Sequence, residues 1–390
     1  MRACPLTARS LSIPPIYDKR ETARFFLGVF SWHFLNCVIL LCSELYYDAA
    51  MTPALETLFL PYSNGQLPAE AGAALFVNAM YAPDLQRFNA AHLRWVQWFK
   101  PYAQTLERAG FKEETGDGAP GSYDAAMVLG SKSRLETEIY LARATRQLKK
   151  GGVLVVAAGN KEGAGRLKKM LLALGYQNIA EQSKNKARVF WAEKGQINQD
   201  VLTLWLQQDN EREIPGGFVS RPGVYGWDKI DRGSQILADH MPRDLKGKGA
   251  DFGCGYGFLS YAVLDKNKKI KALDFIDADS RAVALCEKNI AGFAMKKQGI
   301  WMDLTAEIPR VAGGYDWIVM NPPFHEGKKS DSDIGVSFIK NAHQALRGKG
   351  GALYMVANNQ MPYERVLNDL FWSVQTIYTG GGFKVFHAVK

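Results

Sequence analysis

The residues best suited to chemistry are Asn321-Pro322-Pro323-Phe324, which close the apolar run Tyr315-Asp316-Trp317-Ile318-Val319-Met320. Each proline ring fixes φ and removes a backbone donor, so the pair ends a strand, stiffens the loop and leaves carbonyls free as acceptors. The Asn321 side-chain oxygen and the Pro322 carbonyl offer acceptors to a planar NH2 group, and Phe324 offers a flat face for stacking a base. That set suits methyl transfer to an exocyclic nitrogen. An isolated Asn-Pro is in most proteins only a turn signal, so the elements around the tetrapeptide have to decide.

Those elements form a series. Asp251-Phe252-Gly253-Cys254-Gly255-Tyr256-Gly257 follows a short apolar strand and precedes Phe258-Leu259-Ser260-Tyr261-Ala262-Val263-Leu264, the start of a helix. Alternate glycines let the backbone turn tightly and approach a ligand without a Cβ in the way. About 20 residues further on, the run Ile270 to Ile276 ends in Asp277, where a carboxylate can hold the ribose hydroxyls of an adenosine. A third run, Gly299-Ile300-Trp301-Met302, ends in Asp303, placed to meet an adenine amine. The glycine spacing is not that of a nicotinamide site, and no Walker lysine follows it. Each aspartate alone reads equally well as a polar strand end; acidic residues closing three successive strands, with the Asn-Pro-Pro-Phe loop closing the fourth, are much harder to obtain by chance.

With these motifs the chain resembles the class I S-adenosylmethionine-dependent methyltransferases. More narrowly it resembles the small-subunit ribosomal RNA guanine-N2 methyltransferases of the methyltransferase C family. The narrower likeness rests on Phe218-Val219-Ser220-Arg221-Pro222-Gly223-Val224-Tyr225-Gly226-Trp227, on Asp231 with Gly233-Ser234, on Asn321-Pro322-Pro323-Phe324-His325, and on Gly382-Phe383-Lys384-Val385-Phe386. It covers nearly everything after residue 50. At Tyr225-Gly226-Trp227 the chain departs from relatives, which often carry an aromatic residue followed by Ser. The resemblance implies that S-adenosylmethionine is held by Asp251, Gly253, Gly255, Gly257, Asp277 and Asp303. It also implies that Asn321 and the Pro322 carbonyl orient the target amine, that Phe324 stacks on its base, and that Arg221 to Ser234 closes over the cofactor.

The chemistry of such a target fits the residues. The N2 lone pair of guanine is delocalised into the ring, so the amine is a poor nucleophile until hydrogen bonds to its protons pull it out of plane. A sulfonium methyl is already activated, and the protein mainly supplies proximity and in-line orientation. No strong general base is required, and His325 is assigned no catalytic role. A stacked base cannot reach the pocket, so the guanosine is expected to be flipped out or to lie in an open loop.

The first half reads as a worn copy of the second. Tyr123-Asp124-Ala125-Ala126-Met127-Val128 parallels the run before Asn321, and Leu148-Lys149-Lys150-Gly151-Gly152-Val153-Leu154 parallels Leu346 to Leu353. Lys186-Ala187-Arg188-Val189-Phe190-Trp191-Ala192 likewise parallels Gly382 to Ala388. The copy has lost its chemistry: Leu129-Gly130-Ser131-Lys132 stands where the Asn-Pro-Pro-Phe loop belongs, and Gly72 to Met80 holds no glycine loop. The expected fold is therefore α/β, two tandem doubly wound Rossmann-like methyltransferase domains with the first degenerate. Boundaries are expected at 51–195 and 216–390, with 196–215 joining them.

Residues 51–200 carry 19 Lys/Arg against 14 Asp/Glu, and residues 201–390 carry 24 against 21, so both halves are basic and the first more so. With a net charge of +9 this suits an anionic partner, here 16S ribosomal RNA or the small subunit. Arg166-Leu167-Lys168-Lys169 and Lys184-Asn185-Lys186-Ala187-Arg188 suit phosphates, although any one such run is more often a solvated face or hairpin end.

Residues 1–50 stand outside the pattern. Phe25 to Cys42 is mostly apolar but contains Ser31, His33 and Asn36, a marginal membrane span. A misassigned upstream start, a membrane anchor and a lineage-specific extension compete, and the first is favoured because an RNA-modifying enzyme works in the cytoplasm. No stable membrane partner is expected, and the tandem pair suits a monomer. Cys254 and Cys286 lack metal spacing, so no metal site is expected. Other classes remain open from the residues alone: a large-subunit RNA enzyme, an N-methyltransferase for adenine in DNA or glutamine in protein, and a non-enzymatic RNA-binding protein, against which the intact loop motifs argue.

Overall fold

In the computed structural model the two halves each build a seven-stranded sheet, and the described residues are 52–69, 72–116, 118–323 and 329–390. The apolar stretch Phe25 to Cys42, Phe324 and His325 lie outside them. Thr52–Lys390 forms one compact unit. The first sheet comprises β1 (Ala74–Val77), β2 (Leu93–Val96), β3 (Lys112–Glu113), β4 (Tyr123–Leu129), β5 (Leu148–Gly159), β6 (Ala180–Lys184) and β7 (Ala187–Glu193). After a small hairpin of β8 (Arg212–Ile214) and β9 (Phe218–Ser220) comes the second set. It comprises β10 (Lys246–Phe252), β11 (Lys269–Asp277), β12 (Lys296–Trp301), β13 (Trp317–Met320), β14 (Ala352–Asn358), β15 (Ser373–Gly380) and β16 (Phe383–Val389).

Strand order is β3-β2-β1-β4-β5-β7-β6 in one sheet and β12-β11-β10-β13-β14-β16-β15 in the other, the same topology twice. The first five strands of each sheet run parallel, while β7 and β16 insert antiparallel to their neighbours. The three stretches paired from sequence occupy matching places: β4 with β13, β5 with β14, and β7 with β16. Helices cover both faces of a parallel sheet, so its central strands are apolar throughout. All four residues of β1 and of β13 are buried accordingly. One core joins β1, β4 and β5 to helices Arg134–Gln147 and Ala164–Leu174. Helix Gln199–Gln207 adds Leu202 and Trp205 to that core, so the connecting segment packs on the first sheet.

Both basic runs are partly spent inside the fold. Arg166 Nη2 donates to the carbonyls of Ser131 (2.9 Å) and Lys132 (2.8 Å). Lys184 and Asn185, at the β6–β7 hairpin, both reach Glu56, at 2.8 and 2.6 Å. Arg188 and Lys168 both face Glu181, at 3.3 and 4.0 Å.

Candidate active site

The order of strands reverses between β10 and β13, and the loops at the carboxyl ends of two such strands leave a crevice. Gly253 follows β10 and Asn321 follows β13, so the topology brings together residues 68 positions apart; both line a cleft with Tyr225, Asp231, Ser234 and Gly255.

Asn321 is held from one side. Its Nδ2 donates to Asp231 Oδ2 at 2.8 Å and to Ser234 Oγ at 2.9 Å. Asp231 also caps helix Arg232–His240, accepting from the Ser234 amide at 2.8 Å. A carboxylate only accepts, so this contact dictates which end of the amide faces Asp231. The other end, Oδ1, is buried and has no partner among the described residues. Leaving such an oxygen unpaired costs about 1–3 kcal/mol, which a ligand N–H recovers. Asp231 and Ser234 matched the family motif in sequence, but nothing there pointed to their grip on Asn321 at separations of 90 and 87 residues.

The glycine loop turns as its composition requires. Gly255 sits at φ +53°, and a Cβ built there would meet nothing within 4 Å, so the loop presents open backbone to the cleft. Gly257, at φ +96°, caps helix Phe258–Lys266, and a Cβ there would come within 2.8 Å of Cys286 Sγ. Its contact is with the neighbouring helix. Cys254 and Cys286 are both buried free thiols, and burial, with Cys286 beside it, pushes the Cys254 thiol well above its usual value.

Asp277 and Asp251 stand beside this loop, and Asp303 follows the next strand along. Asp277, ending β11, accepts from the amides of Gly255 and Asp279, each at 2.9 Å. Burial pushes it up to about 6, the two backbone amides pulling the other way. An ionised carboxylate has about four acceptor sites, so two amides leave room for a pair of hydroxyls. Asp251 is fully buried beneath the loop, its Oδ2 accepting from Ser260 Oγ at 2.7 Å and its Oδ1 unpartnered. Burial pushes it up to about 7. Its Ser260 partner lies in the first turn of the helix that the loop opens. Asp303 is buried after β12, with Oδ1 accepting from the Thr305 amide (2.8 Å) and hydroxyl (2.6 Å).

Residues 216–387 match the model of the methyltransferase small domain. The chain is 30% identical over 338 residues to the ribosomal RNA small subunit methyltransferase C of Idiomarina loihiensis, an alignment covering 84% of this chain and 95% of that one. The chain belongs to the ribosomal RNA small subunit methyltransferase C family. The family's protein from Shigella flexneri is 29% identical over 347 residues, covering 87% of this chain and 97% of the relative. Among solved structures, the T. thermophilus 16S rRNA N2 methyltransferase in complex with AdoMet and guanosine superposes with a TM-score of 0.68 at 22% identity, covering 88% of this chain and 93% of that one. That likeness extends over both sheets.

The residues present fit the cofactor of this family. An open glycine turn, a carboxylate with spare acceptor sites beside it and an unpaired amide oxygen across the cleft are the groups a nucleoside sulfonium and an incoming amine require.

Proposed function

We propose that this chain transfers a methyl group from S-adenosylmethionine to the exocyclic N2 of a guanosine in 16S ribosomal RNA. The observation that carries the reading is the Oδ1 of Asn321, buried and without a partner among the described residues, on a side chain fixed by Asp231 and Ser234 at the edge of the cleft.

Asp277 would hold the ribose hydroxyls, the backbone of Gly253 and Gly255 would pass close to the cofactor, and Asp303 would meet the adenine. Bound there, S-adenosylmethionine supplies an electrophilic methyl group. Asn321 Oδ1 and the Pro322 carbonyl would each accept a hydrogen bond from the guanine NH2, drawing nitrogen density out of the ring and fixing the amine in line. Such positioning can lower the barrier by several kcal/mol, and transition-state hydrogen bonds at a dry site by about 2.7–4 kcal/mol. Phe324 would stack on the extruded base. The amine becomes acidic only after the new N–C bond forms, so its proton passes to a backbone acceptor or water and no strong base is needed.

The substrate reading is further supported by the names of the matched relatives, by basic charge in both halves and by the work in the cytoplasm that ribosomal RNA demands. Among the described residues no helix is long and apolar enough to cross a membrane. The test is transfer of labelled methyl from S-adenosylmethionine to separated ribosomal subunits, free RNA and DNA, followed by nucleoside analysis. N2-methylguanosine confined to small-subunit RNA is expected; N6-methyladenine, or label only in large-subunit RNA, would replace the reading.

A further inference from the structure

The two sheets meet through equivalent segments. In register, Val77 of β1 lies beside Val96 of β2, as Phe252 of β10 lies beside Ile276 of β11. Gln97 therefore stands where the second sheet has Asp277, and Trp98-Phe99-Lys100 stands where it has Ala278-Asp279-Ser280. These two tripeptides bond to each other. The Lys100 amide donates to the Ala278 carbonyl at 2.7 Å, the Ser280 amide donates to the Trp98 carbonyl at 3.0 Å, and Phe99 and Asp279 pair antiparallel between them. The arrangement is a local two-fold, with Phe99 and Asp279, the latter two residues after Asp277, at its centre.

Arg281 closes it. Its side chain is 10% exposed, with Nη2 donating to Asp279 Oδ2 at 2.6 Å and to the Gly223 carbonyl at 3.1 Å, and Nη1 lying 3.5 Å from Glu136 Oε1. The guanidinium lies over the Trp98 ring at 4.8 Å, and that ring stacks on Tyr140 at 5.1 Å. Glu136 is itself held at 2.8 Å by the Tyr140 hydroxyl and at 2.8 Å by the Ser131 hydroxyl. Ser131 belongs to the loop that replaces Asn-Pro-Pro-Phe in the first half. The side chains at the degenerate site are thus occupied in gripping a residue of the second domain.

We propose that Arg281 is a positioning residue through which Trp98 and Glu136 of the first domain fix the turn carrying Asp277, so that the first domain sets the affinity of the second for S-adenosylmethionine. The inference rests on the reading that Asp277 holds the cofactor. Three bonds in three directions need the planar fork of arginine; lysine, a point charge on a flexible stem, can keep one of them at a time. Through Gly223 the same fork reaches the Arg221 to Ser234 segment, whose Asp231 and Ser234 hold Asn321. Aromatic contact with the guanidinium is lost in Trp98→Ala and kept in Trp98→Phe.

The experiment is calorimetric titration of the full chain with S-adenosylmethionine, alongside RNA binding and thermal melting. Arg281→Lys and Trp98→Ala are expected to weaken cofactor binding about tenfold, one factor of ten being 1.4 kcal/mol, with RNA affinity within about twofold and Trp98→Phe restoring most of the loss. Leu171→Ala, in the first-domain core on helix Ala164–Leu174, controls for general destabilisation: it should lower the melting temperature and leave cofactor affinity unchanged. If Arg281→Lys does not fold, Trp98→Ala and Glu136→Gln carry the test, the latter with a smaller loss in the same direction. Wild-type cofactor affinity in the folded Arg281→Lys and Trp98→Ala proteins would overturn the inference, as would an equal loss in Leu171→Ala. A wild-type chain that binds no S-adenosylmethionine would instead remove the functional reading on which the inference stands.

Discussion

Two sheets of identical topology carry opposite chemistry at the same three places. Where β10 has Asp251, β1 has Phe76, fully buried. Where β11 ends in Asp277, the first sheet has Gln97; where β13 is followed by Asn321, the first sheet has Leu129. Gln97 shows what such a change does. Its Oε1 accepts from the Phe99 amide at 2.9 Å, just as Asp277 Oδ1 accepts from the Asp279 amide. Its other end is a donor, and Nε2 binds the Ala79 carbonyl at 2.7 Å. An amide with one donor end and one acceptor end can close its bonds within the loop, whereas a carboxylate keeps acceptor sites for a ligand's hydroxyls. The lesson is that a fold can be kept while the ligand site is removed by making each polar group satisfy itself or by replacing it with an apolar one.

The comparison breaks most readily at Asn321. Asn321→Ala should lower methyl transfer to small-subunit RNA by about 100-fold or more while calorimetry shows cofactor binding within about threefold of wild type. Leu129→Asn, the reciprocal change, should leave the rate unaltered. Retention of activity in the first variant would dissociate the loop from the chemistry.

Next in size is the carboxylate. Asp277→Asn should weaken S-adenosylmethionine binding by about 10–100-fold, the worth of hydrogen bonds to a charged acceptor. Gln97→Asp should not create a second site, because its counterpart loop offers a carbonyl where the second domain offers the Gly255 amide; a titration stoichiometry of two per chain would contradict the contrast.

A pH series sharpens the same point. Burial holds Asp277 at about 6, and a carboxylate receiving ribose hydroxyls must be ionised. Binding is therefore linked to loss of a proton, so affinity should fall as pH drops through about 6, by up to about tenfold per pH unit. Asp277→Asn should bind weakly with no such inflection; an unchanged inflection in that variant would assign the titration elsewhere.

The smallest effect is expected on stability. Asp251 in the folded chain lies at about 7, above the ordinary carboxylate value of 3.8. Between those limits the folded state holds more protons, so its contribution is fully present below about 4 and is lost as pH rises through about 7. The melting temperature should fall across that window, and Asp251→Asn should flatten the fall. Phe76 titrates nothing, so no variant at that position should change the slope.

Much of the architecture was legible in the sequence because its causes are local. Apolar runs punctuated by glycine and proline mark the strands, and the duplication showed because two of the three matched pairs, β4 with β13 and β5 with β14, are parallel central strands that leave the same apolar signature in both copies. The glycine turn, Asp277 and Asn321 could be picked out because each terminates a strand. Their partners could not. Asp231 and Ser234 reach Asn321 across about 90 residues, and nothing in the polar pattern of helix Arg232–His240 says which neighbour its first turn will meet. Asp251 was legible in the same way, but its bond to Ser260, on the helix after the loop, was not.

By itself the sequence determined that there are two copies of one fold and that only the second keeps an acceptor loop, because composition and periodicity act within a few residues of one another. The tertiary structure decided how those copies are used. Only the packing of the two sheets sets Trp98 and Glu136 against Arg281, since a buried guanidinium takes its partners from whatever surfaces close around it, and chain order carries no record of that choice.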